Sequence, residues 1–187
     1  MWRLFLLISI FPIAAALLLR WWFGLRVLAA FGGRPCRCDL MRWDKALDVN
    51  PQAVSNAQAP ACEFGDQLRQ AALAQWRRDE PKLAGSREAS HRFGQAVPPL
   101  SAMVAVFAAF LAKIPISGAL IIFIAATALA TVFTLLSLGA ELRAIASTAK
   151  SLRQARAFVR SDDEDAVIQS AIARAWCETI PPVLRML

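Results

Sequence analysis

From Ile114 to Ala140 the chain carries no Lys, Arg, Asp, Glu or His. A helix needs about 20 apolar residues to cross the hydrocarbon of a bilayer. This run, with its apolar block at Ile116–Gly139, is long enough to span with tilt. It predicts a transmembrane helix, and the rest of the chain must be arranged around one.

Two further blocks share that character. The first runs from Leu4 to Leu19 without a charge, followed by Arg20, Trp21, Trp22 and the apolar run Val27 to Phe31. Snorkelling of Arg20 and an interfacial belt of Trp21 and Trp22, with Trp2 at the other end, would complete a span. A cleaved signal peptide is the rival reading. The basic residues follow the apolar run instead of preceding it, and no small-x-small site leads into polar sequence, which favours an uncleaved anchor. The second block, Val97 to Ala112, is entered through Pro98 and Pro99. Lys113, Pro115, Ser117 and Gly118 separate it from the third by so little that the two form an antiparallel hairpin. Small residues at Ala119, Ala126, Ala130 and Thr134 give the third helix a face for close helix packing.

Composition agrees. Of 187 residues, 57% are hydrophobic and 19% charged, against about a quarter charged in a soluble domain. The expected fold is therefore all-α: an integral membrane protein with three transmembrane helices plus cytoplasmic amphipathic helices. Residues 1–31 form an N-terminal anchor, 32–96 a cytoplasmic segment, 97–140 the transmembrane hairpin and 141–187 a cytoplasmic helical tail. Ten Lys and Arg fall in 33–96 and seven in 141–187, against Arg3 at the N-terminus and Lys113 at the hairpin tip. The positive-inside rule then puts the N-terminus outside and the C-terminus in the cytoplasm, as in a bacterial inner membrane.

The net charge of +7 belongs to the membrane flanks. There is no tyrosine, no basic-aromatic interleaving and no nucleic-acid motif, so the expected partners are the lipid bilayer and other membrane protein subunits, with no nucleic acid. Within the cytoplasmic parts, 33–60 reads as irregular from Gly33, Pro35, Pro51, Asn56 and Pro60. Residues 62–80 read as a helix through Phe64, Leu68, Ala71, Ala72, Gln75 and Trp76. Leu142–Phe158 extends the third block as a basic amphipathic helix. Ser161 with Glu164 makes a capping box for a last helix, ending near Thr179 before Pro181 and Pro182.

Two strings bear on chemistry: Ala89-Ser90-His91-Arg92-Phe93-Gly94-Gln95-Ala96 and Leu138-Gly139-Ala140-Glu141-Leu142-Arg143-Ala144. The pair resembles the bacterial membrane (neutral) zinc metallopeptidases, which carry an Ala-Ala-His-Glu-Val-Gly-His-Ala string and a Leu-Pro-Val-Glu-Phe-Asn/Asp-Ala string across a similar hairpin. The resemblance covers the C-terminal half. It implies a His-Glu-x-x-His helix holding zinc, the glutamate acting as base, and a further ligand at the position of Glu141. In this register His91 keeps the first histidine, but Arg92 replaces the glutamate and Gln95 the second histidine. A guanidinium accepts no proton, and an amide oxygen is a poor zinc ligand. Gly139 and Arg143 also depart from the pattern. The resemblance therefore implies a degenerate, truncated relative with no catalytic residues, no metal and no cofactor. His91 and Glu141 are the weak metal candidates that remain. The alternative for Glu141 is an interfacial carboxylate paired with a basic residue at the membrane boundary.

Cys36-Arg37-Cys38 with Cys62 and His91 offers four zinc donors in principle, but the Cys-x-Cys spacing is tighter than usual, and reduced thiols or lipidated cysteines are the alternatives. His91 as a haem or chlorophyll ligand lacks any Cys-x-x-Cys-His. No Gly-rich phosphate loop, no Ser/His/Asp set and no ionisable residue within the third block supports an enzyme or a transporter. The expected function is a non-catalytic accessory or scaffold subunit of a membrane protein complex. The alternatives are a divergent membrane zinc metallopeptidase and a regulatory pseudo-peptidase that binds polypeptides. On the scaffold reading, neither His91→Ala nor Glu141→Gln disturbs assembly, whereas bulky residues at Ala126 and Ala130 do.

Overall fold

The fold, taken from a computed structural model, is described for residues 2–47, 57–111, 114–181 and 184, with side chains from Ile8 onward. Three helical segments are long and apolar enough to cross a membrane: Ile8–Gly32, Pro81–Phe110 and Ile116–Ala155. The side chain of Trp2, Lys113 and the turn residues Pro51 and Asn56 lie outside the described residues.

Helix α1 (Trp2–Leu19) continues through two wide π-helical turns, Arg20–Leu25 and Leu28–Gly32. Trp21 and Trp22 are exposed on the first of these turns, and Arg26 lies 4.6 Å from the ring centroid of Trp22. Arg20 does not snorkel outward. Its Nη1 donates to the Leu184 carbonyl at 3.5 Å. Ala16, Ile180 and Leu184 form a small buried cluster with Ile13, Leu17 and Leu135. This fixes the depth of α1 against the third apolar helix.

Residues 33–60 are more ordered than their turn signals suggest. A ribbon pairs β1 (Pro35–Arg37) with β2 (Gln58–Pro60) antiparallel, Cys36 opposite Ala59. Between them lies α2 (Leu40–Leu47). Asp39 Oδ1 accepts from the amides of Met41 at 3.1 Å and Arg42 at 3.4 Å, which is how a short helix starts. Trp43 is buried edge-on against Phe64 and Phe158, with centroids 5.3 and 5.6 Å away. Trp43, not local propensity, holds α2 in place.

Helix α3 (Ala61–Asp79) buries Phe64, Leu68, Ala71, Ala72 and Trp76, the stripe its spacing foretells; Gln75 is exposed. It packs on α6 (Ser161–Glu178) at Gly65, where an added Cβ would stand 2.9 Å from both the Ala171 nitrogen and the Ser170 Cβ. The capping box does not form. Arg160 is the N-cap and makes no side-chain cap bond, and Ser161 lies inside the helix. Glu164 instead accepts from Arg153 Nε at 3.1 Å, and Arg34 pairs with Asp163 at 3.1 Å. Acidic side chains around the positive helix end do the work of a cap.

Helix α4 (Pro81–Phe110) begins sixteen residues before the second apolar block and runs unbroken through Pro98 and Pro99. Pro81 starts it well, because its missing amide is unneeded at a first position. After Phe110 the chain resumes as α5 (Ile116–Ala155), a single helix of 40 residues. Arg156 ends it in the left-handed conformation, φ 49°. The lower half of α5 joins α3 and α6 around Phe64, Leu68, Ile145, Leu152 and Val167. The segment after the first apolar helix and the segment after the third therefore form one bundle.

Candidate functional site

One face of α4 presents Ala84, Arg87, His91, Gly94 and Pro98 at helical spacing, and all but His91 are buried. At Gly94 the helix meets α5 so closely that a Cβ would stand 2.7 Å from Thr134 Cγ2. Only glycine permits that approach. The contact brings the next turn of α4 level with Thr134–Glu141 of α5, and there the polar residues converge.

Glu141 is the centre. Its Oε2 accepts from Arg87 Nε at 2.9 Å and Nη2 at 2.7 Å, a bidentate fork. Its Oε1 accepts from Arg69 Nε at 2.7 Å. Arg87 Nη1 donates to the Thr134 carbonyl at 3.1 Å and to Ser137 Oγ at 2.8 Å. Arg69 Nη1 reaches Glu178 at 2.6 Å. The side chains of Glu141, Arg87 and Arg69 are 2%, 7% and 12% exposed, so this is a satisfied buried network joining α3, α4, α5 and α6. Burial works against the charge of Arg69, but the carboxylates of Glu141 and Glu178 outweigh it and raise its pKa. A cavity of about 200 Å³ adjoins the network, lined by Arg69, Arg77, Arg87, His91, Glu141 and Glu178 among others.

The expected site residues divide accordingly. His91 and Glu141 do line one cavity. Arg92 points away, exposed and paired with Glu88 at 2.7 Å one turn back. Gln95 is exposed. Glu141 is paired with basic residues, as its alternative reading held, but with two of them and fully buried, so it is more than a boundary marker. These residues do not fit a zinc centre. Both oxygens of Glu141 are taken by guanidinium groups, and among the described residues no three His, Cys, Asp or Glu side chains converge.

Arg87 and Arg69 are what sequence reading misses. Their partner lies 54 and 72 residues away, beyond any local pattern. One signal existed for Arg87: a lone arginine in step with Ala84, His91, Gly94 and Pro98 on a stripe that carries no other charge.

Cys36, Cys38, Cys62 and His91 do not assemble. Cys36 and Cys38 are buried beside the ribbon, Cys36 donating to the Asp163 carbonyl at 3.7 Å. Burial raises the Cys36 thiol to about 11 and the Cys38 thiol to about 12, nearby aspartates adding to both shifts. They are inert thiols at neutral pH.

Of the packing residues, Ala130 is fully buried, its carbonyl 4.0 Å from the Cβ position of Gly94, so it packs against the chain's own α4. Ala126 is partly buried, and Ala119 lines an apolar groove between the far ends of α4 and α5. No family model, no curated protein and no solved structure matches this chain.

Proposed function

We propose that the chain is a non-catalytic membrane protein crossing the bilayer three times, and that it serves as an accessory or scaffold subunit built on a metallopeptidase-like framework. The observation that carries the reading is the capture of Glu141 by Arg69 and Arg87. In the register of the resemblance, Glu141 stands where a zinc ligand belongs. Here two guanidinium groups supply the positive charge that a metal would. A divergent metallopeptidase would have to strip both arginines from a buried carboxylate before it could bind zinc, at a cost of several kcal/mol.

Insertion is supported by surface composition. Only 11% of the apolar window of Ile8–Gly32 and 17% of that of Pro81–Phe110 are buried. Ile8, Phe11, Met103, Phe107 and Phe110 stand open. So much exposed apolar surface requires lipid or another membrane protein. The excess of Lys and Arg in 33–96 and 141–187 favours the N-terminus outside and the single bundle inside.

Elemental analysis and peptidase assays on the purified protein test the reading. The expected result is neither stoichiometric zinc nor cleavage, with defined membrane proteins co-purifying in mild detergent. About one zinc per chain, lost in His91→Ala, would establish the metallopeptidase instead. Topology is read separately: Ser117→Cys should react with an impermeant maleimide in intact cells, and Gln70→Cys only after permeabilisation.

A further inference from the structure

We propose a binding site for one aminophospholipid headgroup, a phosphodiester bearing a primary ammonium, in the cavity between the corner of α3 and α4 and the lower part of α5. The inference rests on the membrane reading above.

The cavity measures about 280 Å³ and is separate from the Glu141 network, sharing only the wall formed by Trp76. Asp79, Glu80 and Leu83 line one side and Arg143 with Ser147 the other, over a floor that includes Ala144 and Thr148. Opposite charges face into one space without pairing. Among the described residues neither Asp79 nor Arg143 has an ion-pair partner within 4.0 Å, and Arg143 Nε donates to the Gly139 carbonyl at 3.3 Å. Glu80 accepts from Trp76 Nε1 at 3.0 Å, which keeps its carboxylate at the cavity mouth. Two anions and one cation, held apart on separate helices, complement a zwitterion: ammonium to Asp79 and Glu80, phosphate to Arg143.

Depth supports a lipid as the source. The uncharged run of α5 ends at Ala140, and Arg143 is the next cation, about 4.5 Å further along the axis at 1.5 Å per residue. On the neighbouring segment, Ala16 belongs to the apolar cluster against which Leu135 packs, and the exposed Trp21 and Trp22 follow it by little more than a turn. A tryptophan belt and the first cation beyond an apolar run both mark the headgroup layer. Leu83, 55% exposed on α4, offers an apolar contact for an acyl chain at the rim of the cavity. The charge set also discriminates. A phosphatidylglycerol would bring its phosphate toward two carboxylates with no cation of its own. A choline headgroup offers no N–H for Asp79 and Glu80 to accept.

The test is native mass spectrometry of the full chain released from vesicles of phosphatidylcholine containing equal minor fractions of phosphatidylethanolamine and phosphatidylglycerol. One phosphatidylethanolamine per chain should be retained. Asp79→Asn with Glu80→Gln, and separately Arg143→Gln, should each lower retention about tenfold, the loss expected for one charge-assisted hydrogen bond. Unchanged helix content and recovery in the membrane fraction identify variants that still fold. Soluble glycerophosphoethanolamine in equal amount should not displace the lipid. Displacement by it, retention of phosphatidylglycerol in preference, or retention indifferent to all three substitutions would each overturn the site. Failure of the wild type to enter vesicles would show instead that the membrane reading itself is wrong.

Discussion

The two ends of the α4–α5 hairpin are built from the same two helices and held by opposite means. Near Gly94 and Thr134 the backbones close on each other, and two turns on, Arg87 grips Glu141. Toward the tip the helices part around an apolar groove of about 650 Å³, lined by Ala105, Ala109, Phe110, Ala119 and Phe123 among others. In a bilayer the open end loses little, because lipid tails are as apolar as the residues they meet. The closed end has no such substitute. Its charges are stable only while every partner is in place. Specificity in this chain therefore sits at one end of the hairpin, and substitutions should divide the same way.

The largest effect belongs to Glu141→Gln. It leaves Arg87 buried without a counter-charge and Arg69 with Glu178 alone, a change that costs about 3–5 kcal/mol. Denaturation of the detergent-solubilised protein should show that loss as a lowered midpoint. The scaffold reading of the sequence alone expects assembly to survive this substitution; the buried network predicts that stability falls. Replacing Glu141 with leucine and Arg87 with methionine together should recover part of the loss, since a buried pair exchanged for apolar groups is often near neutral.

Gly94→Ala comes next. Its methyl would meet Thr134 Cγ2 at 2.7 Å, and overpacking of that kind costs about 1–3 kcal/mol. Thr134→Ser removes the offending methyl while keeping the hydroxyl bonded to the Ala130 carbonyl at 3.1 Å, so the double variant should regain stability. Failure of that rescue would mean that the helices are not in contact here. Ala130→Leu should behave like Gly94→Ala, through the chain's own hairpin and not through a partner. At the open end, Ala109→Leu or Ala119→Leu should change stability by less than about 1 kcal/mol, because each adds apolar volume beside lipid.

The smallest effect is on pH. Cys36 and Cys38 are raised by burial from 9.0 to about 11 and about 12. The folded state therefore keeps its thiol protons where the unfolded chain releases them. Stability from these groups is complete below pH 9 and declines as pH rises toward 11 and 12. Substituting both by serine should flatten that alkaline slope without altering the midpoint near pH 7 by a comparable amount.

What the sequence made legible follows its periodicities. The three apolar blocks, the helix through Phe64, Leu68 and Trp76, and the turn before Ile116 are all local patterns. The polar half of α4 is not, because Pro81–Ala96 carries charges that become buried or exposed only once α5 is beside it. The prolines at 98 and 99 read as an entrance to a span, yet they sit mid-helix, where flanking helices and side chains can re-satisfy the freed carbonyls. Helix α2 was hidden by its surroundings of proline and glycine, and it depends on Trp43 meeting two phenylalanines distant in sequence. Glu141 stood out as a paired carboxylate at the end of an apolar run. Its partners did not, since nothing in a linear pattern joins Arg69 and Arg87 to it.

Arginine, not metal, neutralises Glu141. Thermal unfolding of the purified protein, wild type and Arg87→Met, with added zinc and with a chelator, checks this. The wild-type midpoint should be indifferent to both additions, and Arg87→Met should show a clear fall in all conditions. A wild-type midpoint that rises with zinc and falls with chelator, with Arg87→Met as stable as wild type, would contradict it.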